Sequence, residues 1–86
     1  MTFYVYVLIS LNSNKNYTYV GYTSNLKKRL NLHNSSKGAK FTKGRLWKII
    51  YKKEYKNKTL ALKNEYKLKK NKKKRLLIKL NYLNKI

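Results

Sequence analysis

The charge balance of this chain limits its structure and its partners more than any other feature. Its 86 residues include 23 lysines and arginines but only two acidic residues, which gives a formal net charge of +21. Such a chain repels itself at low salt and gains most from binding a polyanion, so we expect nucleic acid as its partner ahead of an anionic membrane. Lysine outnumbers arginine 20 to 3, a bias that A+T-rich codons also produce. The charge therefore indicates a class of partner and no activity.

The composition also excludes several kinds of site. The chain has no cysteine and one histidine, so disulfide frameworks, zinc knuckles and thiolate nucleophiles are ruled out. Glu54 and Glu65 are its only acidic residues, so a two-metal site built from three or more carboxylates cannot form. Any metal site must use a single carboxylate.

The apolar content predicts one folded domain. Hydrophobic residues make up 42% of the chain and aromatic residues 14%, which is enough for a packed core. The longest apolar run, Phe3–Ile9, is too short to span a bilayer, and Met1 and Thr2 provide no positive flank for a signal peptide. These features predict a cytoplasmic protein without a membrane partner. No proline, linker or repeat divides the sequence, so residues 1–86 are expected to form a single domain.

The first third of the chain predicts a hairpin followed by a helix. Apolar and aromatic residues alternate over Phe3–Ile9, and the polar turn Leu11–Asn16 separates this strand from a second one at Tyr17–Tyr22. Thr23 or Ser24 is then expected to cap a helix of about three turns, in which apolar residues and the histidine recur at helical spacing. Those helical positions are Leu26, Leu30 and His33.

The remaining two thirds predict a loop, a strand and two helices. Residues Asn34–Arg45 indicate a loop, and Leu46–Tyr55 is aromatic and β-branched enough to be a third strand. Thr59 is expected to cap a second helix that Asn71 interrupts, and residues 71–86 form a C-terminal amphipathic helix. Its expected apolar stripe is Leu76, Leu77, Leu80 and Leu83. The order β-β-α-β-α-α predicts an α+β fold, with helices flanking a small three-stranded antiparallel sheet.

Each candidate site residue has an ordinary structural explanation when it is taken alone. The chain has nine tyrosines, and a tyrosine in a strand usually packs with its hydroxyl at the rim. Arg29 and His33 lie four residues apart on one helix face, as solvated polar stripes do. Glu65 precedes Lys69 by four residues, the spacing of a common helix ion pair.

Together, the order and context of these residues resemble the GIY-YIG nuclease family. Tyr4-Val5-Tyr6 and Tyr19-Val20-Gly21 stand at the positions of its two tyrosine motifs. Residues 21–33 resemble the strand-to-helix segment with its arginine and histidine, and Lys37–Thr42 is similar to a loop of small stand-alone bacterial members. Thr59–Lys70 resembles the helix that carries their metal-binding glutamate.

The resemblance covers roughly residues 3–70 and includes two departures from the family pattern. Tyr4 replaces the first glycine of the first motif, a position that small members of the family vary. The turn between the two tyrosine motifs is a few residues longer than usual, which is expected to lengthen only the hairpin tip.

The resemblance implies a divalent-metal-dependent endonuclease that hydrolyses phosphodiester bonds in DNA, with RNA as an open alternative. Tyr19 or Tyr6 would act as the general base, and Tyr19 is favoured. Arg29 would grip the scissile phosphate with its planar guanidinium. His33 would hydrogen-bond a tyrosine hydroxyl or a phosphate oxygen, and Glu65 would bind one Mg²⁺ or Mn²⁺.

Basic residues of the predicted loop are expected to bind the nucleic-acid backbone, with Lys40 nearest to the cleaved phosphate. The four residues are Lys37, Lys40, Lys43 and Arg45. For Lys37 and Lys43, a solvated surface role is an equal alternative. Trp47 is expected in the core rather than on a base. The run Lys67–Arg75 is either a phosphate clamp or the polar face of the last two helices.

Two other functions fit the sequence. A module of the same fold could bind nucleic acid through its basic surface without cleaving it. A basic protein could instead act through charge alone on an anionic surface or a ribosome. The complete set Tyr6, Tyr19, Arg29, His33 and Glu65 favours the nuclease, because a pure binding module has no need for all five.

Overall fold

A computed structural model gives the structure of residues 2–11 and 15–85. It confirms the α+β class and the predicted order of elements. The strands are β1 (Phe3–Ser10), β2 (Tyr17–Thr23) and β3 (Lys48–Tyr55). The helices are α1 (Leu26–Asn34), α2 (Lys58–Lys70) and α3 (Lys72–Leu83), and a single 3₁₀ turn (Lys40–Thr42) precedes β3.

The three strands form one antiparallel sheet in the order β2-β1-β3, with β1 in the centre. The predicted hairpin pairs β1 with β2 from Tyr4 opposite Thr23 to Ser10 opposite Tyr17. Residues 12–14 of the predicted turn lie outside the described part of the chain. The pairing of β1 with β3 shifts register between Val7 and Leu8, and this irregularity lets two consecutive β3 residues pack against the same core. Those residues are Ile50 and Tyr51.

Both faces of the central strand are buried, because helices cover the sheet on both sides. On one face, Val5 and Val7 pack against residues of α2 and α3, namely Ala61, Leu68 and Ile78. On the other face, Tyr6 and Leu8 pack against Trp47 and against residues of β2, α1 and β3, namely Tyr17, Tyr19, Leu26, Leu30 and Ile49. We call these the α2 face and the α1 face. The alternation along β1 thus divides its side chains between two cores.

Helix α1 begins later than the sequence predicted. Its N-cap is Asn25, whose side chain accepts a hydrogen bond from the Lys28 backbone N–H, and neither Thr23 nor Ser24 has this role. The Thr23 hydroxyl is engaged instead with the backbone of Asn25 in the turn that leaves β2. The helix has nine residues, about half a turn less than expected.

Asparagine also caps the two later helices. The Asn57 side chain accepts the Leu60 N–H, so α2 starts before Thr59, the cap that was predicted. Asn71 interrupts the helical run as expected, since it ends α2 and caps α3 by accepting the Lys74 N–H.

The predicted C-terminal helix forms, but a different side of it packs on the core. Ile78 contacts the α2-face core, whereas the expected leucines are largely exposed, with Leu77 at 54%. Leu76 and Leu80 are exposed as well. Because α3 lies mainly against α2 and β3, much of its apolar surface is exposed. No helix in the described part of the chain is long and apolar enough to span a bilayer.

The double role of Asn71 generates a stability prediction. Substitution Asn71→Ala removes the side-chain acceptor at the start of α3, so the free energy of unfolding is expected to fall by about 1 kcal/mol. Urea denaturation followed by circular dichroism measures this. Asn64→Ala is the matched control, because Asn64 lies inside α2 and its side chain bonds only the Leu60 carbonyl. An equal loss in both variants would contradict the capping role.

Candidate active site

A buried chain of hydrogen bonds lies at the centre of the α1 face. The Tyr6 hydroxyl and His33 Nε2 are 2.9 Å apart, and His33 Nδ1 and the Thr42 hydroxyl are 2.8 Å apart. The Thr42 hydroxyl donates in turn to the Ala39 carbonyl at 2.8 Å. Tyr6 is 2% exposed, and His33 and Thr42 are fully buried. The chain joins β1, α1 and the 3₁₀ turn through polar groups that water does not reach.

The Ala39 carbonyl determines which group donates and which accepts in each of these hydrogen bonds. Thr42 has one hydroxyl proton and donates it to the Ala39 carbonyl, so its oxygen must accept from His33 Nδ1–H. Burial, reinforced by the charge of Arg29, lowers the pKa of His33 below its ordinary value of 6.5. We therefore assign a neutral His33 with its proton on Nδ1, whose Nε2 accepts the hydroxyl proton of Tyr6.

The same environment keeps the Tyr6 phenol protonated. Burial raises the pKa of Tyr6 from 10.0 to about 12, although the adjacent Arg29 guanidinium lowers it through hydrogen bonding and charge. The negative charge of the Glu65 carboxylate acts in the raising direction, as does that of Tyr19 in its ionised form. These electrostatic contributions mean that Arg29, Tyr19 and Glu65 all lie within interaction range of the Tyr6 hydroxyl.

Two glycines make room for the Tyr6–His33 pair. Gly21 stands opposite Tyr6 in the sheet, and a Cβ atom there would lie 2.6 Å from Tyr6 Cζ. A Cβ atom at Gly38 would lie 2.9 Å from two ring carbons of His33. Both contacts are closer than real Cβ atoms approach, so both positions are restricted to glycine by close approach.

The other predicted site residues surround this pair. Arg29 lies one helical turn before His33 on α1 and is partly buried. The Tyr19 ring centroid is 5.1 Å from that of His33. The Glu65 side chain, on α2, is 14% exposed, and its carboxylate forms a long ion pair of 3.8 Å with Lys69. The structure therefore brings Tyr6, Tyr19 and His33 into contact, and the charges of Arg29 and Glu65 act on the Tyr6 hydroxyl.

This donor set fits a single hard divalent cation better than any larger metal cluster. Within residues 2–11 and 15–85, no three histidine, cysteine, aspartate or glutamate side chains come together as a metal-binding group. Among the residues that the structure describes, Glu65 is the one whose carboxylate acts on Tyr6, and its long ion pair with the half-exposed Lys69 leaves carboxylate oxygen available. Mg²⁺ binds through one or two carboxylates together with water and substrate phosphate, so one glutamate suffices.

The basic residues predicted to bind nucleic acid differ in their surroundings. Lys37, Lys40 and Lys43 are exposed around the 3₁₀ turn. Arg45 is partly buried: its guanidinium carbon lies 4.4 Å from the Tyr17 ring centroid, and its Nη1 donates to the Phe41 carbonyl. The charges of the three lysines are therefore exposed to solvent. Arg45 also stabilises the segment around the 3₁₀ turn through its contacts with Tyr17 and Phe41.

Comparison with known proteins places these residues in a family. The protein-family model described as the GIY-YIG catalytic domain matches residues 2–81 of this chain. The chain belongs to the GIY-YIG family. This assignment confirms the resemblance based on the two tyrosine motifs, and it connects the chain with nuclease-type function.

Bacterial proteins named UPF0213 are similar to this chain. A UPF0213 protein of Oceanobacillus iheyensis is 42% identical over 67 residues, which cover 77% of this chain and 74% of that protein. A UPF0213 protein of Streptococcus agalactiae is 46% identical over 48 residues, 55% of this chain and 54% of its own length. The chain thus spans about half the length of the second relative. A solution structure is similar to this chain with a TM-score of 0.47, and it is of a UPF0213 protein from Bacillus halodurans. The two sequences are 34% identical, and the match covers 93% of this chain and 85% of that protein.

Three residues of the GIY-YIG site region were not singled out from the sequence. Thr42 sets the direction of the hydrogen-bond chain, but a threonine in a polar loop gives no signal of that role. Phe41 stacks on Tyr19 with an interplanar angle of 17° while 46% of it is exposed. Arg75 lines the cavity beside Tyr19 and appeared in the sequence only as the end of a basic run. Trp47 is buried, as expected, and donates its Nε1–H to the Thr42 carbonyl.

The lowered pKa of His33 predicts that stability depends on pH. In the unfolded chain His33 takes up a proton near pH 6.5, whereas folded His33 takes it up at a lower pH. The free energy of unfolding is therefore expected to fall as the pH drops below 6.5, by at most about 1.4 kcal/mol per pH unit. Denaturation between pH 7 and pH 5 measures the slope. Since His33 is the only histidine, His33→Gln should flatten it; an unchanged slope would refute the assignment.

The close contact at Gly21 predicts a second effect on stability. In Gly21→Ala, the new methyl group would meet the ring of Tyr6, which cannot move freely because it is buried and bonded to His33. The free energy of unfolding is expected to fall by about 1–3 kcal/mol in urea denaturation. Thr18→Ala on the same strand, at a partly exposed position, should cost much less. A Gly21→Ala protein of wild-type stability would show that the pair is loosely held.

Proposed function

We propose that this GIY-YIG protein is a divalent-metal-dependent endonuclease that hydrolyses phosphodiester bonds in DNA and acts in the cytoplasm as a single domain, residues 1–86. One observation supports this function above others: Arg29, Tyr19 and Glu65 surround the buried Tyr6–His33 pair. Phosphodiester hydrolysis needs a base for the attacking water and a cation for the phosphate, and it needs help for the departing oxygen. The five side chains supply groups of these kinds.

Tyr19 is the better candidate for the general base. The Tyr6 proton is committed to His33 Nε2, and burial raises the pKa of Tyr6 to about 12, so this proton is harder to remove than that of an ordinary phenol. Tyr19 is partly exposed and lines a cavity that solvent can enter. In this proposal the phenolate form of Tyr19, which has given its hydroxyl proton to solvent in the cavity, accepts a proton from the attacking water, while Tyr6 and His33 hold the site in position.

Arg29 would bind the scissile phosphate. Its guanidinium is a rigid fork that pairs with two phosphate oxygens, which a lysine ammonium cannot reproduce. Its position beside the Tyr6 hydroxyl, and one turn from His33, limits its freedom before substrate arrives. A positive charge held at the reacting phosphate stabilises the charge that grows there during the reaction.

Glu65 would hold the metal ion. One Mg²⁺ or Mn²⁺ bound there would supply Lewis-acid stabilisation for the leaving oxygen. The carboxylate is mostly buried on α2 and has a long ion pair with Lys69. Lys69 would bind less closely to Glu65 once the ion is present, because the cations compete for the same oxygen atoms.

The exposed lysines around the 3₁₀ turn would bind the nucleic-acid backbone. Lys40 is placed nearest to the cleaved phosphate in this proposal, with Lys37 and Lys43 beside it and Arg45 at the base of the segment. Contacts of this kind are independent of sequence and weaken with salt. The net charge of +21 equally favours a second candidate, a module that binds nucleic acid without cutting it.

A plasmid-nicking assay separates the two functions. Supercoiled DNA is incubated with wild-type protein and Mg²⁺ or Mn²⁺, and the fraction of nicked circles is measured over time. Tyr19→Phe is expected to lower the rate by about 10²–10⁴-fold because it removes the base. Glu65→Ala is expected to abolish the metal-dependent rate. RNA of matched length, tested in parallel, determines whether the substrate is DNA.

The chain provides matched controls for both variants. Glu54 is the only other acidic residue and is exposed on β3, so Glu54→Ala should nick at the wild-type rate. Tyr66 is 58% exposed on α2, so Tyr66→Phe should do the same. Equal nicking by Glu65→Ala and Glu54→Ala would contradict the nuclease proposal, and binding without nicking by wild-type protein would favour the non-cleaving module.

A further inference from the structure

Arg75, at the start of α3, has a buried nitrogen atom without a partner. Its Nε is inaccessible to solvent and makes no hydrogen bond within residues 2–11 and 15–85. Leaving a buried polar donor unpaired costs about 1–3 kcal/mol, and more for a charged group. Native structures contain few such groups, and each calls for an explanation. Packing alone does not favour a guanidinium here, because an apolar side chain of similar size would avoid the cost.

The guanidinium borders a cavity of about 260 Å³ beside the proposed reaction centre. Edge strand β2 contributes one wall, and Phe41, Lys69 and Arg75 contribute the rest. The lining residues are Thr18, Tyr19, Val20, Phe41, Lys69 and Arg75. Two are cationic, and none of those described is acidic. Tyr19 lines this cavity and also contacts His33, so the cavity lies next to the proposed site.

The chemistry of this cavity selects an anion with several oxygen atoms. An arginine fork donates parallel hydrogen bonds to two oxygens of a phosphate. Solvent does not reach Arg75 Nε in this structure, so its N–H would join such a contact after the side chain rotates toward the cavity. Lys69 adds a second positive charge, and its ion pair with Glu65 is long and half exposed, so it can turn to another anion. Arg75 is one of only three arginines among 23 basic residues, and lysine would have supplied charge alone.

We infer that Arg75, assisted by Lys69, binds a non-reacting phosphate of the nucleic-acid strand, next to the phosphate held by Arg29. The inference rests on the proposed function, because it uses the same strand and the same site. Arg29 acts on the Tyr6 hydroxyl from α1, whereas Arg75 lines the cavity beside Tyr19 from α3, so the two arginines would hold different phosphates of the strand. A contact to a phosphate that does not react strengthens ground state and transition state equally, so it lowers KM and leaves kcat unchanged.

Binding without cleavage tests the inference directly. Fluorescence anisotropy of a labelled DNA duplex is measured in a Glu65→Gln background without divalent metal. Adding Arg75→Gln is expected to raise Kd about 5–10-fold and to reduce the slope of log Kd against log salt concentration by about one. Arg75→Lys should keep the slope but still weaken binding, because it retains the charge and loses the fork. Lys73→Gln, an exposed charge on the same helix, is the matched control and should change Kd less than about twofold.

A stability measurement separates this role from a structural one. Because Arg75→Gln removes an unpaired buried donor, its melting temperature is expected to equal or exceed that of the Glu65→Gln parent. A clear fall in melting temperature would mean that Arg75 supports the fold, and it would overturn the inference. Equal losses of affinity in Arg75→Gln and Lys73→Gln would also overturn it, since Arg75 would then add only to the general electrostatic attraction of the protein for DNA.

Kinetics distinguish failure of this inference from failure of the proposed function. If wild-type protein nicks DNA, Arg75→Gln in the wild-type background should raise KM and leave kcat unchanged. A lowered kcat with an unchanged KM would overturn the non-reacting role. If wild-type protein binds DNA but never nicks it, the nuclease proposal fails, and the anisotropy comparison still decides whether Arg75 holds a phosphate.

Discussion

The hydrogen bond between Tyr6 and His33 is the interaction on which the rest of the site depends. It ties the central strand to α1 inside a region that water does not reach, and the Thr42 hydroxyl and the Ala39 carbonyl complete it. A buried polar network is stable only when every donor and acceptor is satisfied, and here each proton has one destination. The network requires a neutral imidazole and a neutral phenol, and two glycines give it space. The remaining groups take their positions around this fixed pair.

Scarcity of acid limits both the stability and the chemistry of the protein. With two carboxylates in the chain, ion pairs contribute little to the fold. Apolar packing on the two faces of β1 therefore provides most of the stability of the fold, and aromatic contacts around Phe41 add to it. The single carboxylate near the Tyr6–His33 pair likewise permits at most a one-ion site. Excess positive charge favours the binding of phosphate and opposes the compact state of the chain through self-repulsion, so a bound polyanion would relieve that repulsion.

Much of the fold and the candidate site could be predicted, because alternation, helical spacing and short motifs are local signals. The alternation over Phe3–Ile9 and the break at Asn71 gave the order of elements, and the motif spacing brought Arg29 and His33 to the same region as the tyrosines. The errors concern choices between equivalent residues. Threonine and asparagine both cap helices, and only the turn geometry after β2 selects Asn25. Leu77 and Ile78 are equally apolar, and the position of α3 against β3 decides which is buried. Thr42 and Arg75 depend on contacts between distant segments, which no local pattern contains.

The central strand combines two tasks in one set of side chains. Val5 and Val7 build the core on one face, while Tyr6, between them, anchors the proposed reaction centre on the other. A change at Tyr6 therefore alters both the chemistry of the site and the packing of the α1 face, so these two properties are coupled. The rim of the site is different, since the lysines around the 3₁₀ turn are exposed and Arg75 lies on a helix with little burial. Variation among descendants of such a protein would accumulate at that rim, so new substrate preferences could arise while the reaction centre stayed the same.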